Sequence, residues 1–357
     1  MNITYLFGNG FDVNLGLPTK YTDYYPIYKE TIKDILENDD FESELPNQKS
    51  IRVFWLQILE EYDNWADFEE AIALLAKGDE NDIKYVLSDF TVKFSNYLLE
   101  KQESIECSDE VMSDFVDFLL HGQNNLQRHD KELMEPYKIG IKSDNYSINI
   151  VTFNYTNSIE QILDKCKEKY KDNIIARKNG TNYISKINSP ILHIHGTLED
   201  GDSVIIGIDS IDQFEDENLK HNTAAGAYCV KTQINNDIGF SSRENQFRQL
   251  ISSSQIVYAY GIAFGKTDKS RWKVLSDWLQ ASSTHKLVVY YFDEDFRKIK
   301  STYARDLLDY IDEIKKSIMQ KIGLDLKLFS RYKDQIFIID SSSVLKTQFT
   351  IKETITN

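Results

Sequence analysis

The chain has 357 residues, 41% hydrophobic and 12% aromatic, with only 15 Gly and 5 Pro. That is enough apolar material for one large core or two, and too little Gly and Pro for long disordered linkers. A formal charge of -16 disfavours nucleic-acid partners, which are gripped through their phosphates by basic surfaces.

Cys107, Cys166 and Cys229 are far apart and form no Cys-x-x-Cys, which leaves no cysteine zinc ribbon or disulfide framework and fits a reducing cytoplasm. The first apolar run is too short for a signal peptide, and no apolar segment approaches the ~18 residues of a membrane span. A cytoplasmic protein with no membrane and no nucleic-acid partner is expected.

In chain order, residues 2–7 read as a short buried strand running into Gly8-Asn9-Gly10-Phe11-Asp12. A Gly-x-Gly turn after a first strand commonly opens a nucleotide-binding α/β domain. Its first glycine permits a sharp turn, and its second clears space for a pyrophosphate beside backbone N–H groups. The third glycine of the dinucleotide fingerprint is Val13 here, so the motif also fits a simple strand–helix turn.

Residues 20–145 show apolar positions at helical spacing and read as a large helical insertion. Asp39-Asp40 and Asp79-Glu80 read as solvated loops within it. A β-branched strand is expected over 147–153, followed by a helix to about Tyr170 opened by an Asn157/Glu160 capping box. Ile191–His195, ended by Gly196, and Val204–Gly207 are the next expected strands. Ser241 and Glu244 open a helix to about Ser253. A strand over 255–260 ends at Gly261, a helix covers 270–279 and a strand 286–292. A long helix over 295–322 and a strand over 335–340 close the series. The fold class is therefore α/β and Rossmann-like: a mostly parallel sheet with helices on both faces and a large helical insertion after the first strand. The expectation is one α/β nucleotide-binding domain over 1–357, with 20–145 as a subdomain inside it.

Ligands in such sheets bind beyond the carboxyl ends of the strands. Those ends deliver Gly8, Asn9, Gly10 and Asp12; then Asn154, Tyr155 and Thr156; then His195 and Gly196; then Gly261, with Asp268 further along its loop. Asp12 can contact ribose or stabilise a first helical turn. Asn154 can read hydroxyls or cap a helix. Thr156 suits a structural role or a ligand contact. His193 shares a strand face with His195 and suits packing or a second polar group of the site. Asp67 and Glu69 fit a solvated helix face or a reach into the pocket, and Asp209 and Asp268 fit adenosine contacts. Tyr228, Lys231 and Gln233 form a polar stretch that fits a lid. His193-x-His195 lacks a third ligand at recognisable spacing, so no metal is expected. No Gly-x-Ser-x-Gly elbow or P-loop is present.

Gly8-Asn9-Gly10-Phe11-Asp12 with Gly16-Leu17-Pro18-Thr19, Phe153-Asn154-Tyr155-Thr156-Asn157 and Ile194-His195-Gly196 together resemble the bacterial abortive-infection family AbiH. Trp65-Ala66-Asp67-Phe68-Glu69 and Ile206-Gly207-Ile208-Asp209 add to the resemblance, which runs from residue 3 to about residue 280. The same motif order is similar to the sirtuin fold. That resemblance implies NAD binding and, for sirtuin-like domains of antiphage systems, NAD hydrolysis. It matches Asn154 to the catalytic-site asparagine, His195 to the catalytic histidine, and Gly8, Gly10 and Asp12 to the nucleotide-cradling loop. Phe11 and Asp12 depart from the small residues of the sirtuin turn, and the absent zinc ribbon disfavours deacetylation.

Cleaving the nicotinamide–ribose bond passes through an oxocarbenium-like state. His195 fits the base that such a reaction uses on a ribose hydroxyl or water, or else a histidine satisfied by a backbone carbonyl. The expected function is an antiphage effector that hydrolyses NAD as a substrate, with a defence-system partner protein or self-assembly. The alternatives are a non-catalytic nucleotide sensor or assembly module and, third, a nuclease toxin.

Overall fold

Eight strands make one sheet: β1 (Asn2–Phe7), β2 (Tyr146–Thr152), β3 (Asn173–Lys178), β4 (Thr181–Ile187), β5 (Leu192–His193), β6 (Ile256–Tyr260), β7 (Lys286–Tyr291) and β8 (Ile336–Asp340). The computed structural model describes every residue except 39–44, 62–67, 138–145, 171–172, 179–180, 189, 200–202, 238–240, 295–297, 300–303 and 352–357. The strand order is β3-β4-β2-β1-β6-β7-β8, with β5 beside the carboxyl end of β2. All pairings in the sheet are parallel except the β3–β4 hairpin. From β1 the chain builds outward on the β2 side, then returns to build outward through β6, β7 and β8. The strand order therefore reverses between β1 and β6, the point at which open α/β sheets hold ligands.

The first strand shows why its sequence is mostly apolar on both faces rather than alternating, with the buried Thr4 satisfied by Ser254 Oγ at 2.7 Å. Ile3, Tyr5 and Phe7 are buried on one face against helices Asp109–His121 and Ser158–Tyr170. Leu6 is buried on the other, against helices Ser241–Ser253, Lys269–Ala281 and Ala304–Lys321. Both faces are covered, so side chains of both parities must be apolar or, like Thr4, hydrogen-bonded. Tyr rings sit in the first layer because their hydroxyls find carbonyls there. Tyr5 Oη donates to Leu119 O at 2.8 Å and Tyr290 Oη to Gly122 O at 2.8 Å.

The insertion is helical as expected, and it packs in two places. Helices Tyr21–Thr31, Pro46–Glu61, Phe68–Leu75 and Glu80–Glu103 enclose an aromatic core in which the Phe68 and Phe90 rings stack at 3.7 Å. Ile206, Ile208 and Phe214 complete that core from a later part of the chain. Helices Asp109–His121 and Arg128–Met134 instead pack on the sheet. Asp79 is the N-cap of helix Glu80–Glu103, accepting from Asn81 N and Asp82 N.

Several local expectations need correction. Val204–Gly207 joins no strand ladder, because Ile206 is buried in the insertion core while Ile205 N bonds to His195 O at 2.8 Å. β5 is two residues long, and His195 stands in the turn after it. The β3–β4 hairpin stands where the sequence predicts no strand. Glu160 does not close a capping box, since its carboxylate goes to His193. The described part of the long C-terminal helix is Ala304–Lys321. Among the described residues no helix is long and apolar enough to cross a membrane.

Candidate active site

The glycine turn is built by backbone contact. Gly8 N donates to Tyr260 O (2.9 Å) and Gly10 N to Gly261 O (3.2 Å), which locks the exit of β1 to the exit of β6. A Cβ on Gly8 would meet Gly261 O at 2.5 Å, and one on Gly10 would meet Gly261 Cα at 2.6 Å. Gly8 itself is extended, at φ −114°, so it needs no glycine-only conformation. Gly261 does, at φ +67°. These glycines thus have a packing reason that involves no ligand.

Asp12 and Thr156 form a buried strut. Asp12 accepts from Thr156 Oγ1 at 2.5 Å and from Ser158 Oγ at 2.6 Å, tying the first helix to the turn after β2. Burial pushes the Asp12 carboxyl above its ordinary range, opposed by the hydroxyls of Ser158 and Thr156 and by nearby Asn154. Both of its oxygens are engaged by the protein. Asn9 is similarly occupied, bonding Thr19 through both ends of its amide.

Asn154 is different. It is 5% exposed, its main chain is anchored to Thr152 Oγ1 and His193, and among the described residues neither its Oδ1 nor its Nδ2 makes a well-formed hydrogen bond, although the amide lies close enough to Asp12 to help lower that carboxyl's pKa. A buried amide left open at both ends costs about 1–3 kcal/mol per group. This one lines a cavity.

The two histidines have opposite electrostatics. His193 faces two groups that only accept, the Asn154 carbonyl (3.1 Å, from Nδ1) and Glu160 Oε1 (2.8 Å, from Nε2). That suits an imidazolium. Burial works against its charge, but the bond to Glu160 and that carboxylate's charge carry its pKa above the usual value. His195 is buried too, and burial, with Lys231 and Arg271 nearby, holds its pKa down to about 4 against the pull of Asp268. Its Nε2–H donates to Asp268 Oδ1 at 2.8 Å. Nδ1 then carries the lone pair, and among the described residues nothing bonds to it.

Asp268 collects three donors on one oxygen. Oδ1 accepts from His195, from Lys231 Nζ (3.3 Å) and from Arg271 Nη1 (2.6 Å). Oδ2 accepts from none of the described residues. Burial alone would raise the Asp268 pKa, but the cations hold it well below the ordinary carboxylate range. The side chain is therefore a fixed anion. Glu69, buried rather than solvated, bonds Lys231 Nζ at 2.7 Å and accepts from Gly207 N at 3.0 Å. Arg271 also bonds Glu244.

Gly8, Asn9, Asp12, Asn154, Thr156, His195, Gly261 and Asp268 line a single cavity of about 320 Å³, with Glu69, Phe94 and Leu98 from the insertion on its wall. Gly10 faces a neighbouring cavity of about 510 Å³, across the Gly261–Phe264 loop, whose lining includes Tyr291, Phe292 and Lys321. Phe264 in that loop holds a left-handed backbone, φ 53°, which costs a non-glycine residue about 1–3 kcal/mol. Asp209 lies away from both cavities and caps Ser270 N through both oxygens, at 3.0 and 2.9 Å. Lys231 is buried behind the site, while Tyr228 and Gln233 are exposed and line neither cavity. Asp39, Asp40, Trp65, Ala66 and Asp67 lie outside the described residues. Sequence reasoning missed the partnership of Glu69 and Lys231, which are 162 positions apart; the adjacent Glu69 and Glu70 at the start of the apolar segment Phe68–Leu75 do not by themselves announce it.

Residues 4–291 match the family model described as bacteriophage abortive infection AbiH. No curated protein matches the chain.

Proposed function

The chain belongs to the bacteriophage abortive-infection family AbiH, and on that premise we propose that it binds NAD in the His195 cavity and hydrolyses the nicotinamide–ribose bond. The observation that carries this reading is the open carboxamide of Asn154. A vicinal diol offers a donor and an acceptor together, so a ribose would satisfy both ends at once.

The neighbouring groups fit the chemistry. His195 is neutral at pH 7 and keeps the Nδ1 lone pair free to take a proton from a ribose hydroxyl or from water. Asp268 presents an anionic oxygen that can stabilise the positive charge developing on the ribose. Water adds to the sugar carbon, nicotinamide leaves, and the products are ADP-ribose, nicotinamide and a proton. Phe94, Phe153 and Trp272 supply apolar wall that excludes bulk water. The adjoining cavity, sharing the Gly261–Phe264 loop, gives the rest of a dinucleotide a place to lie.

A nucleotide sensor without turnover is favoured by one fact: a histidine with a pKa of about 4 is a weak base. Calorimetric titration with NAD and ADP-ribose tests the binding half of the proposal. Saturable binding that Asn154→Ala weakens at least tenfold is expected. Equal affinity in that variant would remove Asn154 from the ligand and the proposal with it.

A further inference from the structure

Lys231 has 0% exposure, and its ammonium sits between two carboxylates from different parts of the fold. Glu69 comes from helix Phe68–Leu75 of the insertion, and Asp268 from the loop after β6. Removing ions from water costs several kcal/mol each even when they are paired, and apolar residues of the same size hold elements together as well or better. Five charged side chains, Glu69, Lys231, Asp268, Arg271 and Glu244, are nonetheless joined through this one spot. Its output is Asp268 Oδ1, the atom that holds His195.

We propose that Glu69 and Lys231 are positioning residues: an ion pair through which the helical insertion sets the orientation and charge of the His195–Asp268 pair. This rests on the reading of those two residues as the working groups of the site. With Glu69 in place, the Lys231 charge is shared between two carboxylates. If the insertion withdraws Glu69, the cation falls to Asp268, whose hold on the His195 N–H weakens. The charged groups around His195 are Asp268, Lys231 and Arg271, with Glu69 behind Lys231 and Glu244 behind Arg271. Taking away Lys231 therefore removes a cation facing the ring, and taking away Glu69 removes an anion behind it. The two changes act in opposite directions.

The test is the NMR titration of the His195 ring in the full-length protein without nucleotide. In Lys231→Met the ring should titrate about one pH unit or more higher than in the wild type, and in Glu69→Gln lower. Lys231→Met takes the ammonium away from the buried Glu69 carboxylate and can fail to fold, so Glu69→Gln/Lys231→Met, which removes the nearer cation and the farther anion together, is the second variant; its ring should titrate above the wild type by less than in Lys231→Met. A folded Glu69→Gln protein and a folded double variant whose His195 rings both titrate as in the wild type would overturn the proposal, because a merely structural pair changes stability and leaves the ring alone. No NAD is present, so the coupling stands or falls separately from the hydrolase reading, which nicotinamide release decides.

Discussion

Gly10 and Gly261 meet backbone to backbone, so that a methyl group on Gly10 would stand 2.6 Å from the Gly261 Cα. The contact joins the two strand ends that flank the reversal of strand order. Gly10→Ala should destabilise the fold by about 1–3 kcal/mol through overpacking. Gly261→Ala should cost at least as much, since its φ of +67° adds backbone strain. Urea denaturation checks both. An unchanged midpoint with lost nucleotide binding would assign these glycines to a ligand instead.

Asp12 is expected to behave as a structural carboxylate. Asp12→Ala strands the hydroxyls of Thr156 and Ser158 in a buried site and should cost about 2–4 kcal/mol. Asp12→Asn keeps the shape and one acceptor and should cost less. Residual nucleotide affinity, measured on the folded fraction, should stay within a few-fold of wild type. A fully stable Asp12→Ala protein that no longer binds nucleotide would place Asp12 on the ligand.

His193 and His195 should tilt the pH dependence of stability in opposite directions. The folded pKa of His195, about 4, lies below the ordinary imidazole value of 6.5. Its contribution is therefore full above pH 6.5 and lost as the pH falls towards 4, by at most about 1.4 kcal/mol per pH unit. The folded pKa of His193 is raised, so its contribution is full below its unfolded value and lost as the pH rises through the folded one. In denaturation curves taken from pH 4 to 9, His195→Gln should flatten the acid limb and His193→Gln the alkaline one. Hydrolysis, if His195 is its base, should show no inflection near pH 6.5 and fall off only towards pH 4. A bend in kcat/KM near 6.5 that His195→Gln removes would mean that the ring is not held neutral by burial.

Much of the framework is legible in the sequence, because a doubly covered parallel strand must be mostly apolar on both parities and must end at a turn. That reasoning groups Gly8, Asn154, His195 and Gly261 at strand ends, and all four line one cavity. Other features are set by packing that only the fold creates. Val204–Gly207 looks like a strand by composition, yet Ile206, with Val204 beside it, packs into a helical core. Asp12 and Asp209 look like ligand contacts by position, yet their oxygens are spent on Thr156, Ser158 and Ser270. The buried Glu69–Lys231 bond joins side chains separated by 162 positions, and no local pattern announces a pair at that distance.

The most direct measurement is nicotinamide released from NAD by the purified protein, with lysate of phage-infected cells supplied as activator. The wild type should release nicotinamide and ADP-ribose in equal amounts, and Asn154→Ala and His195→Gln should each lower the rate about 100-fold or more while staying folded. NAD that binds saturably but is never cleaved, or cleavage untouched by both substitutions, would contradict the hydrolase reading.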